Sequence, residues 1–165
     1  MSDTTITIQD LSRIMAMTAR SQPAVAYGAI DALAMRLFDH RLFTVTRSLL
    51  ETKQVERVYT SNPTAYPVGG RKQKQDTPWG EQVLDRGQIL ICHGVADIER
   101  VFADHRLILS LGITGMINVP VLFAGRSVAT MNMSHAEDRF REEDFPAMAT
   151  LAALLLPLLL AGATG

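Results

Sequence analysis

Cys92 and His93 stand side by side at the end of the apolar run Ile89-Leu90-Ile91, and no other cysteine occurs in the chain. A thiol becomes a nucleophile when a base lies within hydrogen-bond reach, about 3 Å. Asp97 and His105 follow closely, so Cys92, His93, Asp97 and His105 are the candidates for acid–base or nucleophilic roles. If Gln88 to His93 is a strand, successive side chains point to opposite faces. Ile89, Ile91 and His93 then share one face, and Leu90 and Cys92 the other. Cys92 would have to borrow His105 or His135 as its base. A lone cysteine among Ile and Leu reads first as a small buried hydrophobe; ligand contact and nucleophilic attack are the alternatives. His93, Asp97, Glu99 and His105 match no metal-ligand spacing, so no metal is expected.

A second set of residues suits binding rather than reaction. Asn118 interrupts the apolar run Met116 to Pro120, and Asn132 interrupts Ala129 to Met133. A buried amide without a hydrogen-bond partner costs on the order of 1–3 kcal/mol. Alternation places Thr130, Asn132 and Ser134 opposite Met131 and Met133. Tyr59 and Ser61 share a face of one predicted strand, Tyr66 opens a long loop, and Trp79 is the sole tryptophan. Arg71, Lys72 and Lys74 on that loop could receive a carboxylate or phosphate, although a solvated loop surface is the favoured meaning of such a run.

The elements that must position these groups follow from periodicity. Apolar residues at spacings of three and four predict a helix over Thr7–Arg20 and another from Pro23 to Phe38. Leu42–Leu50 and Val55–Ser61 read as strands joined by a polar turn. Thr64–Thr77 is a loop. Thr77-Pro78-Trp79-Gly80-Glu81 starts a short helix, with Thr77 as cap and Glu81 reaching back, and Gly87 ends it. Asp97–Leu111 is helical with a break near Asp104-His105. Gly115–Leu122 and Ser127–Ser134 form a hairpin, and a last helix runs from about Glu142 to Leu160. The expected class is α+β: one antiparallel sheet of five or six strands, terminal helices on one face, loop and middle helices on the other.

Composition narrows the functions. Sixteen basic and seventeen acidic side chains leave a net charge of −1 in 165 residues. No strong field is available to attract nucleic acid. A single cysteine builds no internal disulfide, and the N-terminus MSDTTITIQD lacks a signal segment, so a cytoplasmic location is expected. The leucine-rich tail is shorter than the about 20 apolar residues of a spanning helix and carries Pro157. A partner helix is expected to cover it rather than lipid.

Four stretches in order resemble the GAF domain family: Pro78-Trp79-Gly80-Glu81-Gln82-Val83-Leu84-Asp85-Arg86-Gly87-Gln88, Leu111-Gly112 through Val119-Pro120-Val121, Gly125-Arg126-Ser127-Val128-Ala129-Thr130-Met131-Asn132-Met133, and Phe140-Arg141-Glu142-Glu143-Asp144. The resemblance spans about residues 20–160. It implies a twisted antiparallel sheet with a ligand pocket between sheet and loops, and dimers made by the terminal helices. The expected layout is one unit over 1–165, with a core at about 20–160 and helices 7–20 and 142–160 as dimerisation elements.

The resemblance also implies pocket positions for His93, at a strand end, and His105, on the roofing helix. Together with Tyr59, Ser61, Tyr66, Trp79, Asn118 and Asn132 they form the expected ligand set. Branches of the family fit unequally. The cyclic-nucleotide signature lacks its lysine. Asp104 stands where the bilin-attaching cysteine would be, so covalent bilin is not expected, and neither is another cofactor. Free methionine sulfoxide reduction needs several cysteines. The reading reached is a small-molecule sensor or regulatory module that signals through a homodimer or a partner. The alternative is an enzyme on a small metabolite that uses Cys92, His93 or His105.

Overall fold

Thr7 starts the first helix with a capping box: its Oγ accepts from the Asp10 amide at 3.1 Å, and its own amide donates to Asp10 Oδ2 at 2.9 Å. In the computed structural model, residues 4–73 and 77–161 are described. Helix α1 spans Ile8–Arg20 and α2 spans Pro23–Phe38, with Pro23 in the first turn. Strands β1 (Leu42–Leu49) and β2 (Gln54–Thr60) follow as an antiparallel pair.

The predicted loop after β2 contains a third strand, β3 (Arg71–Gln73). Its three polar residues carry no apolar alternation, which is why periodicity misses it. Charged residues suit an edge strand because they discourage further pairing. Arg71 sits opposite Glu56, and Glu56 opposite Arg47; the Glu56 carboxylate meets both guanidinium groups, at 3.1 and 3.0 Å. Those hydrogen bonds, that from Arg47 first, hold the Glu56 carboxyl below the usual carboxylate range.

Thr77 accepts from the Gly80 amide at 3.1 Å, as a cap should. The turn it opens, Gly80–Asp85, is π-helical rather than α-helical. Glu81 does not reach back to the cap; it pairs forward with Arg86 at 2.5 Å. Strand β4 (Leu90–His93) leads into α3 (Val95–Val101) and α4 (His105–Ser110), separated where the break is expected. Strands β5 (Gly115–Phe123) and β6 (Arg126–His135) make the hairpin. The last helical run divides into a 3-10 turn at Glu142–Asp144, α5 (Phe145–Leu154) and α6 (Leu156–Ala161), with Pro157 in the first turn of α6.

The six strands form one antiparallel sheet in the order β3-β2-β1-β6-β5-β4. Period-two alternation on the central strands sends Phe43, Val45, Ile117, Val119, Met131 and Met133 to one face, where α1, α2, α5 and α6 cover them. By length and composition alone the run Glu142–Ala161 could cross a membrane. Its Met148, Leu151, Leu155, Leu158 and Leu159 are instead buried in this core. On the other face Leu42, Leu90, Cys92 and Met116 meet Tyr66, Val83, Ile98, Val101, Ile108 and Ile113 in a second, smaller core.

Gly115 shows how tightly the end of the hairpin is closed. A Cβ built there would strike the Glu137 carbonyl oxygen and lie 3.0 Å from Asp138 Cα. Those atoms are backbone and cannot swing aside. Gly115→Ala is expected to cost roughly 1–3 kcal/mol through overpacking, read as a lower urea midpoint with an unchanged slope.

Candidate functional site

The second core does not fill the space beneath the sheet. A cavity of about 520 Å³ remains between the polar face of β1, β2, β5 and β6 and a roof made by the loop after β2, the start of the π-helical turn, and α3–α4. Val55, Val101, Ile108, Ile113 and Met116 give it apolar walls, and Thr44, Thr46, Asn118 and Asn132 give it a polar floor. That volume lies within the usual range of small-molecule sites, about 300–1,000 Å³.

The floor is a hydrogen-bonded row across three strands. Asn118 pairs in register with Asn132, and Asn132 with Thr44. Asn132 Nδ2 donates to Thr44 Oγ1 at 3.2 Å and to Thr46 Oγ1 at 3.0 Å, and the Thr46 hydroxyl meets that of Thr130 at 3.0 Å. Trp79 Nε1 donates to Asn118 Oδ1 at 3.0 Å. Asn118 is only 2% exposed, and its Nδ2 has no partner; Asn132 Oδ1 has none either. Of the buried polar atoms without a protein partner, these two belong to residues that line the cavity.

The rim carries charge. The Arg57 guanidinium lies over the Tyr66 ring, 4.8 Å from its centroid, and Nη1 donates to the Pro67 carbonyl at 3.1 Å. Lys72 Nζ is 2.8 Å from Asp104 Oδ2, and the Tyr66 hydroxyl donates to the same oxygen at 3.4 Å. Burial, and then the Asp104 charge, raise the pKa of the Tyr66 phenol, while burial lowers that of Arg57.

Of the residues singled out from sequence, Tyr66, Trp79, Asn118 and Asn132 line the cavity, as does Lys72 from the basic loop. Tyr59 lies on the opposite face: its ring stacks on Tyr27 of α2 at 5.5 Å, and its hydroxyl donates to Asp31 at 2.7 Å. The cause is a bulge. The β1–β2 register passes from Val45↔Tyr59 to Thr46↔Arg57, so Val58 is an extra residue that turns Tyr59 away from the side Arg57 faces. Ser61 caps the end of β1, its Oγ accepting from the Phe43 amide at 2.9 Å. Arg71 is held by Glu56, and Lys74 lies outside the described residues.

The candidates for chemistry are dispersed. Cys92 is fully buried in the second core and lines no cavity wall. His93 is exposed on the other side of β4, its Nδ1 2.9 Å from Asp138. Asp97 accepts from the His93 amide at 2.9 Å and pairs with Arg100 at 2.7 Å. His105 Nδ1 faces the Phe102 carbonyl at 3.0 Å. Cys92, His93 and His105 thus share no hydrogen bond, and the thiol–base contact is not formed. Among the described residues no three His, Cys, Asp or Glu side chains converge on a point.

Among the polar cavity residues absent from the set expected from sequence are Thr44, Thr46, Arg57 and Asp104. Alternation from Val55 could have found Arg57, since residues two apart on a strand share a face. Asp104 carries no sequence signal of its own beyond standing at the bilin-attachment position.

A single antiparallel sheet, helices on both faces and a hollow on the polar side define an α+β domain with a cavity under its sheet. A family model described as the GAF domain matches residues 12–156, and the chain belongs to that family. Among solved structures, the chain resembles the GAF domain of an Acinetobacter phosphoenolpyruvate-protein phosphotransferase, with 15% identity, a TM-score of 0.74, and coverage of 96% of this chain and 95% of that one. The corresponding domain from Coxiella burnetii gives 16%, 0.75, 96% and 95%. Free methionine-R-sulfoxide reductase from Neisseria meningitidis, solved with its substrate, gives 14%, 0.71, 97% and 95%. At these identities the likeness concerns the fold. A search of the curated proteins found no match.

Burial, and secondarily the Asp97 charge, push the Cys92 thiol up to about 12 from 9.0. A neutral thiol favoured by the fold stabilises it below pH 9, and that contribution is lost as pH rises toward 12. Native protein at pH 8 is expected to resist a thiol reagent, with labelling appearing only on unfolding. Unfolding midpoints should fall between pH 9 and 12, and fall less in Cys92→Ala.

Proposed function

We propose that this GAF domain is a ligand-binding regulatory module whose effector occupies the cavity beneath the polar sheet face. The observation that carries the reading is the floor: Asn118, tied to Trp79 through one amide atom, leaves its other amide atom buried beside empty space. An inert core would replace that amide by an apolar side chain, since an unsatisfied polar atom costs on the order of 1–3 kcal/mol. Tyr66, Trp79, Asn118 and Asn132 are the ligand-contacting residues in this reading, and Arg57, Lys72 and Asp104 join them. His93 and His105 are left out because they line no cavity wall.

The output is a homodimer built on the terminal helices. Ile8 and Met15, seven residues apart on one face of α1, are 80% and 63% exposed, and Val25, Met35 and Leu160 add exposed apolar surface from α2 and α6. Residues seven apart on a helix share a face, so this is a stripe rather than scattered exposure.

A metabolite screen tests the effector. A true ligand at 100 times its dissociation constant adds about 2.7 kcal/mol of stability, raises the melting temperature and perturbs Trp79 emission. Ala103→Phe, at the cavity rim, should abolish both effects. Light scattering at micromolar concentration should return a dimer mass, and Ile8→Glu with Met15→Glu should return a monomer with cavity binding retained.

A further inference from the structure

The chemistry of the cavity's two ends restricts what it can hold. Three charged side chains line it among the described residues: Arg57, Lys72 and Asp104. Lys72 and Asp104 neutralise each other at 2.8 Å. Two cations less one carboxylate leave one positive charge, and it is that of Arg57. The neighbouring strand arginines Arg47 and Arg71 are both held by the Glu56 carboxylate. Among the described residues Arg57 makes no ion pair: its guanidinium meets the neutral Pro67 carbonyl and the Tyr66 ring, and feels the Asp104 charge at longer range. It is also pre-positioned. Its backbone is hydrogen-bonded on both sides to the loop, Gly69 N to Arg57 O at 2.8 Å and Arg57 N to Gly70 O at 2.9 Å. The missing side chain at Gly70 leaves room for the guanidinium, which a Cβ there would meet at 2.9 Å.

The far end is a donor. An indole N–H only donates, so Trp79 fixes Oδ1 as the Asn118 atom it meets and leaves Nδ2 unpartnered. Asn132, directly opposite, meets hydroxyls, which can donate or accept, so its amide can present either atom. The two ends are separated by three strand spacings, about 14 Å between backbones. Val55, Ile113 and Met116 lie among the walls of the same cavity.

We propose that the cavity is a site for a small organic acid: a carboxylate on Arg57, an apolar body between the walls, and a hydrogen-bond acceptor on Asn118 Nδ2. The acid carries no α-amino group, because the one lining carboxylate among the described residues, Asp104, is already shared by Lys72 and Tyr66. This deepens the ligand-binding reading of the cavity and rests on it.

The test uses 3-(4-hydroxyphenyl)propionate as probe. Its comparators are its methyl ester (no charge), 3-phenylpropionate (no acceptor) and tyrosine (the same skeleton with an α-ammonium). Calorimetric titration of the full chain should show saturable binding of the acid, with the ester weaker by about tenfold or more, since a hydrogen bond to a charged group is worth about that factor, and with 3-phenylpropionate and tyrosine also weaker. Arg57→Met should lose about tenfold and Arg57→Lys less, with circular dichroism confirming that both remain folded. Equal binding of acid and ester to wild type, or binding unmoved by Arg57→Met, overturns the acid assignment while leaving a ligand cavity in place. Tyrosine binding as well as the acid overturns the exclusion of amino acids. No binding of the acid at millimolar concentration overturns the assignment outright, and the metabolite screen then judges the cavity separately.

Discussion

Two faces of one sheet must satisfy opposite solvents, and the rest of the molecule follows from that constraint. Alternation on β1, β5 and β6 gives Phe43, Val45, Ile117, Val119, Met131 and Met133 to one side. It gives Thr44, Thr46, Asn118, Thr130 and Asn132 to the other. The first side closes against helices as any apolar layer does. The second cannot, because a close-packed apolar roof would strand its amides and hydroxyls without partners. The roof therefore touches the sheet at its margins and stands off over the polar row.

The same constraint explains how the roof is attached. Trp79 reaches down with a large apolar body and one donor, so it can both pack and satisfy Asn118. Tyr66 likewise turns its ring to Arg57 and its hydroxyl to Asp104. The β3 segment ties the loop to the sheet edge, and the Arg47–Glu56–Arg71 row secures that edge. Each anchor is polar at its tip and apolar along its length. Such groups can line a cavity without collapsing it.

Cys92 and His93 illustrate the other outcome of alternation. Adjacent in sequence, they point to opposite faces of β4: one into the second core, the other to solvent beside Asp138. Asp97 closes the turn after His93 and pairs with Arg100. What reads as a catalytic cluster along the chain is, in three dimensions, a strand end and a helix start with their local hydrogen bonds satisfied.

The sequence by itself determined the class, the order of the elements apart from β3, the antiparallel sheet with helices on both sides, and the alternation that sets Asn132 opposite Met131 and Met133. These follow from short-range rules, namely periods of 2 and 3.6, caps and breakers, which operate within a few residues. Only the tertiary structure decided the placing of Tyr59, β3 and the hollow itself. One extra residue, Val58, turns Tyr59 to the helix layer while Arg57 faces the cavity. A bulge of this kind is set by the partner strand, not by the strand's own pattern. The edge strand exists because Gln54, Val55 and Glu56 offer it partners. The cavity is a distance between two layers, and no local pattern of residues encodes a distance between segments that meet only after the chain has folded.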